Sequence, residues 1–277
     1  MALPILNNAP TPPSDADLVR LFHRTDAAWI EHGAEGEPLE VGTAYANSAL
    51  PSIWNANHVR DASLAVGMTP EQAVAEVTAH YASKGTACAY WIMNPSADAA
   101  QTRPLADHLI SLGHRVRVDE ILYLRRSRSA PVAAPAELKI IPARASYRHA
   151  RALAEERARD RWGSAIDELV EADILDIDDP HTDTLLALHA DRPVATISVL
   201  AVGDLGRIEN VYVARDFRRR GIGRTMMSRA LEVCVRSMFR HVFMLVDPAN
   251  TPATTLYRSL GFEPIGRLTS YCAAHVT

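Results

Sequence analysis

One short basic segment, residues 207–224, has the clearest chemical potential in the chain, and it reads RIENVYVARDFRRRGIGR. Its β-branched residues predict a strand, and the apolar spacing that follows Gly221 and Gly223 predicts a helix. Glycines let the backbone approach a ligand closely, and the first amides of a helix have no acceptor within that helix. The helix dipole also places about half a positive charge at this end. The segment therefore predicts an anion site.

Several arginines adjoin the predicted start of the helix, and they favour a phosphate or pyrophosphate as the anion. They are Arg218, Arg219, Arg220 and Arg224. Two nucleotide-binding motifs do not fit. A P-loop needs Lys-Ser/Thr after its last glycine, where this chain has Arg224 and Thr225, and a Rossmann fingerprint needs a third glycine or alanine, where it has Met226. A solvated turn is the alternative interpretation of the arginines.

The segment resembles the acyl-CoA site of the GNAT N-acetyltransferases, whose signature is Gln/Arg-x-x-Gly-x-Gly/Ala between a strand and a helix. Arg218, Gly221 and Gly223 match that signature. A second match follows the apolar run at residues 242–246, where GNAT enzymes place an Asn, an Ala, a Tyr and a Gly-Phe pair. The matching residues are Asn250, Ala253, Tyr257, Gly261 and Phe262. The resemblance extends over about residues 137–272.

The resemblance implies acetyl-CoA as the cosubstrate. It implies that the main chain of residues 211–213 pairs with the pantetheine arm, that Val213 donates to the oxyanion, and that the basic turn binds the diphosphate. Asn250 would contact CoA, although it could also simply cap the following helix. The cofactor-binding residues that follow are Val211, Tyr212, Val213, Arg218, Arg219, Arg220, Gly221, Ile222, Gly223, Arg224 and Asn250.

Acetylation of an amine requires a base, because an alkylammonium with a pKa of about 10.4 cannot attack a thioester until it loses a proton. Glu209 lies on the predicted strand and is the best-placed carboxylate. Its alternative role is that of a salt-bridged strand residue. Some GNAT enzymes carry a catalytic Glu on the next strand, five residues before the Asn, where this chain has Leu245. Asp247 is a second candidate, or a cap of the next turn.

The leaving thiolate, with a pKa of about 8.5, leaves more easily once it is protonated. Tyr257 has a hydroxyl that can deliver this proton, and its spacing from Asn250 agrees with the family. The alternative is a packed aromatic side chain, since Ala253, Leu256 and Leu260 share the inward face of its predicted helix. We therefore assign Tyr257 as the acid and Glu209 as the base.

The chain repeats a strand-helix-strand-helix-strand order in its two halves. The repeat predicts an α/β fold with a mixed sheet and two tandem GNAT-like lobes: a degenerate lobe at 1–126, a linker at 127–136 and a catalytic domain at 137–277. In the first lobe residues 62–68 stand where the basic turn stands in the second, without arginine and with one glycine, and Leu109 stands opposite Tyr257. We expect the first lobe to be structural or to shape the substrate cleft.

The expected elements follow from periodicity and end signals. In the first half they are helices at 14–31, 69–83 and 102–112 and strands at 38–45, 53–60, 86–93 and 115–124. In the second half they are a strand after Glu137, a helix at 146–161, a hairpin at 184–202 turning at Asp191 and Arg192, strands at 208–213 and 242–246, and a helix near Pro252.

Composition excludes several classes of protein. The chain is 48% hydrophobic with a net charge of -4, which argues against a nucleic-acid binder. We see no secretory signal and no apolar run of about eighteen residues, so we expect a cytoplasmic protein without a membrane span. Cys88, Cys234 and Cys272 are predicted to be reduced. The histidines show no metal-ligand spacing, so no metal is assigned. The oligomeric state cannot be read.

Residues 164–183 contain eight carboxylates and neither Lys nor Arg. In GNAT enzymes this region usually forms part of the acceptor pocket, and an acidic rim would attract a cationic amine. A solvated face is the alternative. A small cationic amine is therefore the expected acceptor. A peptide or protein amine, or a noncatalytic acyl-CoA sensor, remain as alternatives.

Overall fold

The computed structural model describes residues 12–30, 34–126, 137–161 and 166–273. The helices of these residues are α1 Asp15–Ile30, α2 Pro70–Ser83, α3 Ala99–Ser111, α4 Tyr147–Arg161, α5 Ile166–Asp178, α6 Ile222–Arg236 and α7 Thr251–Ser259. The strands are β1 Glu37–Leu39, β2 Gly42–Tyr45, β3 His58–Ala62, β4 Tyr90–Met93, β5 Arg115–Leu124, β6 Leu138–Pro142, β7 Thr182–His189, β8 Arg192–Val202, β9 Leu205–Val213, β10 His241–Val246 and β11 Phe262–Cys272.

The strands of the described residues form a single mixed sheet in the order β1-β2-β3-β4-β11-β5-β10-β9-β8-β7-β6. Strand β3 is parallel to β4, and β9 is parallel to β10. Each parallel pair is joined through a helix, α2 in the first half and α6 in the second, because parallel neighbours need a crossover connection. The predicted repeat and the α/β fold with two tandem lobes are therefore confirmed.

The two halves exchange their last strands. Strand β5, from the first half, lies between β10 and β11, while β11, from the second half, lies between β4 and β5. The exchange is held by ten residue pairs between β5 and β11, from Phe262 with Leu124 to Cys272 with Arg115. Each strand thus completes the sheet of the other half. The domain boundaries at 126 and 137 stay a prediction, and the proposed linker lies outside the described residues.

Helix α1 packs against strands of both halves, namely β5 and β11 on one side and β8 and β9 on the other. It begins at the predicted cap, where Ser14 Oγ accepts a hydrogen bond from Asp17 N at 3.2 Å and the Asp17 carboxylate accepts one from Ser14 N at 3.0 Å. Leu18 and Phe22 are fully buried and pack with Phe243. The first helix therefore belongs to a core that both halves share.

The structure confirms several elements closely and corrects others. Helix α2 begins after the capping residue Thr69 as predicted, and β5 has the predicted bounds. The predicted strand at 38–45 is wrong, because a two-residue turn splits it into β1 and β2. At Gly42 an added Cβ would lie 2.5 Å from the Arg60 carbonyl, so glycine is required beside β3. The predicted strand at 53–60 begins as a short 3-10 helix, Trp54–Ala56.

Two further corrections concern the second half. The hairpin of β7 and β8 turns one residue earlier than predicted, at Ala190 and Asp191, which have φ values of 47° and 63°. Positive φ at both central residues is what a twisted two-residue hairpin requires. Much of the acidic stretch is helix α5, for which no element had been predicted, and this helix buries Val170 and Ala172.

Candidate active site

Strands β9 and β10 separate beside Glu209 and residues 211–213, the predicted base and the predicted cofactor-binding strand. They pair only from Leu205 with His241 to Ile208 with Met244. Strand β9 then continues to Val213 and β10 to Val246 without further pairing between them. The main-chain edges that face this opening are therefore available to a third chain or a ligand.

A β-bulge beside this opening changes the direction of the side chains of β9. The register between β8 and β9 shifts between Thr196 and Ser198, and Asn210 has a φ of 52°. Bulges turn neighbouring side chains towards different spaces. Here Glu209 faces a cavity, and Val211 faces a groove on the other side of the strand. The bulge therefore separates two spaces that meet at β9.

The open groove has a volume of about 800 Å³ and runs from the end of β9 to the first turns of α6 and α7. Most of the predicted cofactor-binding residues line it: Val211, Tyr212, Val213, Arg218, Arg219, Gly221, Gly223, Arg224 and Asn250. Prediction had missed five further lining residues, which are Asp160, Arg215, Phe217, Pro252 and Leu256. The arginines of the groove outnumber its single carboxylate, so the groove suits an anion.

The Val213 main chain faces the opening between the strands. Ala214 N donates to Val194 O at 2.8 Å, and in an antiparallel pair neighbouring residues alternate between facing the partner strand and facing away. Val213 therefore faces away from β8. Its carbonyl accepts a hydrogen bond from Arg218 Nε at 2.9 Å, and its N–H points to the side where β10 has diverged. This geometry supports the predicted oxyanion donor.

The start of α6 leaves its amides open. Gly221 is the N-cap with a φ of 80°, and it has no side chain that could satisfy them. The first helical bond runs from Thr225 N to Gly221 O at 3.0 Å, so the amides of residues 222–224 have no acceptor within the helix. An added Cβ at Gly223 would lie 3.6 Å from Leu256, an ordinary contact, so the protein itself does not require glycine there.

The arginines of the turn have different surroundings. Arg218 is held by the Val213 carbonyl and lies 3.6 Å from the Asp160 carboxylate, so it braces the turn. Arg220 lies over the Phe217 ring and outside the groove lining. Arg219, with a φ of 65°, and Arg224 line the groove. Ile222 is buried, so only its amide can reach a ligand.

Helix α7 brings two predicted residues to different places. Asn250 caps the helix, with its Oδ1 accepting from Ala253 N at 3.3 Å, and it also lines the groove, so both predicted roles are compatible. Tyr257 is only 6% exposed and its ring packs edge-on against Phe262. Its neighbour Leu256 lines the groove, but Tyr257 does not. The acid role of Tyr257 stays a prediction.

The cavity on the other side of β9 has a volume of about 270 Å³ and is lined by both halves. The first half contributes residues of α1, β4 and β5, and the second half contributes residues of α4, α5, β9, β10 and β11. Carboxylates outnumber the three arginines of this cavity. The carboxylates are Asp26, Asp119, Asp173, Asp176, Glu209 and Asp247. Such a surplus of negative charge favours a cationic ligand.

Glu209, the predicted base, is held by one neighbour. Its Oε1 accepts from Arg207 Nε at 2.7 Å and lies 2.6 Å from Arg207 Nη2, so the predicted salt bridge exists. The residue also lines the cavity, and its role as the base stays a prediction. Burial raises the pKa of Glu209, and the opposing charge of Arg207 does not cancel the rise. A carboxylate of raised pKa is a better proton acceptor near neutral pH.

Sequence reasoning missed a buried ion network that begins at Glu209. Arg207 Nη1 donates to Asp26 Oδ1 at 2.7 Å, and Arg60 Nη1 donates to Asp26 Oδ2 at 2.6 Å. Burial acts to raise the pKa of Asp26, but the two guanidinium groups lower it well below its ordinary range. One signal was present: Asp26 follows Leu18 and Phe22 at helical spacing on the apolar face of α1.

The acidic helix α5 also reaches the cavity, as the sequence suggested. Asp173 pairs with Arg157, and Asp176 accepts from Asn210 Nδ2 at 3.2 Å. Burial, followed by the charge of Asp173, raises the pKa of Asp176 well above its ordinary value. Asp247 lines the cavity and accepts from Ala249 N at 2.8 Å, so it also caps the turn as predicted.

Two further findings concern the described residues only. None of their helices combines the length and the apolar character that crossing a bilayer requires. Among the same residues, no group of three or more His, Cys, Asp or Glu side chains is arranged to hold a metal ion. Cys234 is buried on α6, and burial raises the pKa of its thiol to about 12, as expected for an inert side chain.

Comparisons with known proteins concern the family and the fold of this chain. The sequence profile of the acetyltransferase (GNAT) family matches residues 148–262. A Bacillus subtilis (strain 168) protein, named as an inferred acetyltransferase, is 33% identical over 97 residues, which cover 35% of this chain and 62% of that protein. The chain therefore matches less than two thirds of that relative's length.

Solved structures share the whole fold. A GCN5-related N-acetyltransferase from Kribbella flavida has a TM-score of 0.61 at 14% identity, covering 92% of this chain and 95% of that chain. A conserved protein of unknown function from Staphylococcus epidermidis ATCC 12228 has a TM-score of 0.60 at 15% identity, covering 86% and 93%. At this identity they show the fold alone. The family profile thus identifies residues 148–262 as similar to the acetyltransferase (GNAT) family, and the solved structures share the fold of the chain.

Proposed function

We propose that the chain transfers an acetyl group from acetyl-CoA to a primary amine by direct attack in a ternary complex. The observation that carries the proposal is the meeting of two spaces at the β9 bulge. A basic groove lies beside Val211, and a cavity with a surplus of carboxylates lies beside Glu209. A thioester in the groove and a cationic amine in the cavity would meet where β9 and β10 separate.

The groove offers separate partners for the parts of CoA. The open amides at the start of α6, with Arg219 and Arg224 beside them, suit the diphosphate. The free edge of β9 at residues 211–213 can pair with the amides of the pantetheine arm. The Val213 N–H can then stabilise the negative charge that develops on the thioester oxygen during attack.

Proton transfers complete the reaction. Glu209 takes a proton from the ammonium group, and the resulting amine attacks the thioester carbon. The tetrahedral intermediate collapses to the amide and a thiolate, and in this proposal Tyr257 protonates the thiolate. The second proton of the former ammonium nitrogen passes, through water, to the Tyr257 oxygen, which leaves a neutral amide and restores the hydroxyl. Tyr257 follows Leu256 on α7, and Leu256 lines the groove.

The size and charge of the cavity support a small cationic acceptor. At about 30 Å³ per molecule of liquid water, the 270 Å³ cavity would hold the equivalent of about nine waters. This space suits a small amine or one amine-bearing arm, and it is too small for a folded protein surface. A peptide amine would have to extend a single side chain or terminus into it.

The proposal is tested by binding and by turnover. Millimolar CoA should raise the melting temperature, because a ligand that binds only the folded state stabilises it. Thiol release from acetyl-CoA should occur with at least one amine of a panel of polyamines, aminoglycosides, amino-acid derivatives and lysine peptides. Glu209→Gln should lower this turnover by about 100-fold while CoA still binds.

Each failure has a distinct meaning. Thermal stabilisation by CoA without turnover of any amine would indicate a noncatalytic acyl-CoA sensor. Absence of stabilisation by millimolar CoA would contradict both the enzyme and the sensor, and would leave a binding site for another phosphate compound. Unchanged turnover in Glu209→Gln would remove Glu209 as the base and make Asp247 the next residue to substitute.

A further inference from the structure

Asp26 joins the two halves at a buried point. Its two carboxylate oxygens are held by arginines from different halves, Arg60 on β3 and Arg207 on β9. All three residues are at most 2% exposed. Leaving one such buried charge without its partner is strongly unfavourable, so the three groups hold one another in a fixed arrangement.

The two arginines occupy equivalent positions in the repeat. Strand β4 begins at Tyr90, which pairs with His58, and β10 begins at His241, which pairs with Leu205. Arg60 and Arg207 each lie two residues beyond that first pair on the inner strand. Asp26 therefore binds both arginines, and among the described residues only Arg207 also binds a second carboxylate, that of Glu209.

Arg207 can hold Glu209 in one orientation only while its own position is fixed. Its Nη1 is bound to Asp26, which turns the Nε and Nη2 edge of the planar guanidinium towards Glu209 Oε1. None of the hydrogen bonds in the described part of the chain reaches Glu209 Oε2. That oxygen is left for the cavity, which Glu209 lines.

We propose that Asp26, a residue of the first half, is a positioning residue for Glu209 and acts through Arg207 to direct Oε2 into the cavity. The proposal rests on the proposed function for the role of Glu209 as base. It gives the first half a part in the chemistry, because the residue that orients the base is supplied from α1.

Asp26 should also affect the proton affinity of Glu209. Its negative charge contributes to the raised pKa of Glu209, because it shares the charge of Arg207. The other carboxylates that face the cavity are Asp119 on β5, Asp173 and Asp176 on α5, and Asp247 after β10. The other cations are Arg117, Arg157 and, on the far side of Asp26, Arg60. His23, buried beside Asp26, has a pKa lowered by burial.

The test is the titration of Glu209 itself. It is monitored by NMR in full-length, CoA-bound protein that carries carboxyl-labelled glutamate. The signal is assigned by its absence in Glu209→Gln. Asp26→Asn keeps the shape of the side chain and removes its charge, so the pKa of Glu209 should fall by at least ~0.5 units. Thr25→Val is the matched control, since Thr25 is buried on the same helix and bonds only to the Phe22 carbonyl. It should leave the titration unchanged.

A second variant keeps the proposal open to refutation if Asp26→Asn does not fold. Arg60→Gln leaves Asp26 to Arg207 alone, so the pKa of Glu209 should rise instead of falling. An unshifted pKa of Glu209 in either folded variant would overturn the proposal, as would an equal shift in Thr25→Val.

Activity gives an independent readout. With an amine that is turned over, the acidic limb of the kcat/KM profile should move with the NMR titration, to lower pH in Asp26→Asn, and kcat should fall about tenfold. A shifted titration without any turnover would support the positioning role and refute the proposed function. Turnover whose pH profile is the same in wild type and Asp26→Asn would refute the positioning role alone.

Discussion

The two halves use the same succession of strands and helices, but they treat the amides at the start of the first crossover helix differently. In the first half, Thr69 and Gln72 form a capping box over α2, with hydrogen bonds of 2.9 Å and 3.3 Å. The preceding amides are also occupied, since Ser63 N donates to Val41 O and Leu64 N to Gln101 O, both at 2.9 Å. In the second half, Gly221 provides no such cap.

The repeated scaffold therefore does not create a binding site by itself. A binding site arises where main-chain donors are left without protein partners and where the strand edge beside them is open. The side chains follow the same division: the second half has Tyr257 where the first has the fully buried Leu109. The first half instead contributes walls and Asp26 to the cavity.

The largest expected effect tests whether the halves are separate units at all. Ile121 is fully buried on β5, between Leu245 of β10 and Gly266 of β11. Ile121→Ala should lower the free energy of unfolding by about 2–5 kcal/mol. Calorimetry should show one transition that moves as a whole, because β5 and β11 link both halves. Val118→Ala, on an exposed part of the same strand, is the control. Two transitions, of which only one moves, would mean that the halves fold independently.

The next effect tests the difference between the helix starts. Gly223→Asp places a negative charge among the open amides of α6 without straining the backbone, so CoA affinity should fall at least ~100-fold in calorimetric titration. Gly221→Val should also abolish binding, but it adds strain at a φ of 80°. Val66→Asp, in the exposed turn before α2, should leave affinity unchanged. Retained affinity in Gly223→Asp would place the cofactor elsewhere.

A smaller effect distinguishes a chemical tyrosine from a structural one. Tyr257→Phe should lower kcat about tenfold with CoA affinity nearly intact, since only the acid would be lost. In the first half, Tyr81 donates to the carbonyls of Tyr45 and His58, and Tyr81→Phe should cost about 1 kcal/mol of stability without affecting turnover. Equal losses of turnover and CoA affinity in Tyr257→Phe would mean that the hydroxyl has a packing role.

The last prediction concerns stability and two carboxylates of the cavity, Asp26 from the first half and Asp176 from the second. The pKa of Asp176 is raised, so its contribution to stability is complete below the ordinary Asp pKa and is lost as pH rises. Asp176→Asn should therefore stabilise the protein at neutral pH by on the order of 1 kcal/mol, with no gain below about pH 4. The pKa of Asp26 is lowered, so Asp26→Asn should destabilise the protein at neutral pH, keep most of this effect at about pH 4 and lose it only as the pH falls further. Urea unfolding at neutral pH, at about pH 4 and at about pH 2 measures each difference. The same sign for both variants at neutral pH would contradict the assigned shifts.

The sequence predicted features that depend on near neighbours. The glycines and arginines of the turn, the cap at Asn250, and the strand of Glu209 all follow from short-range spacing, and the structure places most of them around one groove. The β-bulge at Asn210 was not predicted, because Asn tolerates a positive φ better than most residues but a single Asn does not mark a bulge within a strand. Helix α5 was missed because its dense charge obscured a narrow apolar face.

Long-range pairing explains the other omissions. The apolar pattern of β5 is equally compatible with either neighbouring sheet, so its position between β10 and β11 is decided by strands far away in the chain. The partners of Asp26 are likewise 34 and 181 residues away. An aspartate on the apolar face of α1 signals that a buried cation exists somewhere, but it does not identify which one.

The exchanged strands have a consequence for the integrity of the molecule. A peptide-bond cleavage anywhere between Arg126 and Glu137 would break the chain without releasing either piece, because ten residue pairs between β5 and β11 would still join the fragments. The nicked product should behave as a tight heterodimer whose subunits depend on each other. Coexpression of the two fragments from separate reading frames should therefore reconstitute the enzyme, and either fragment alone should not accumulate in folded form.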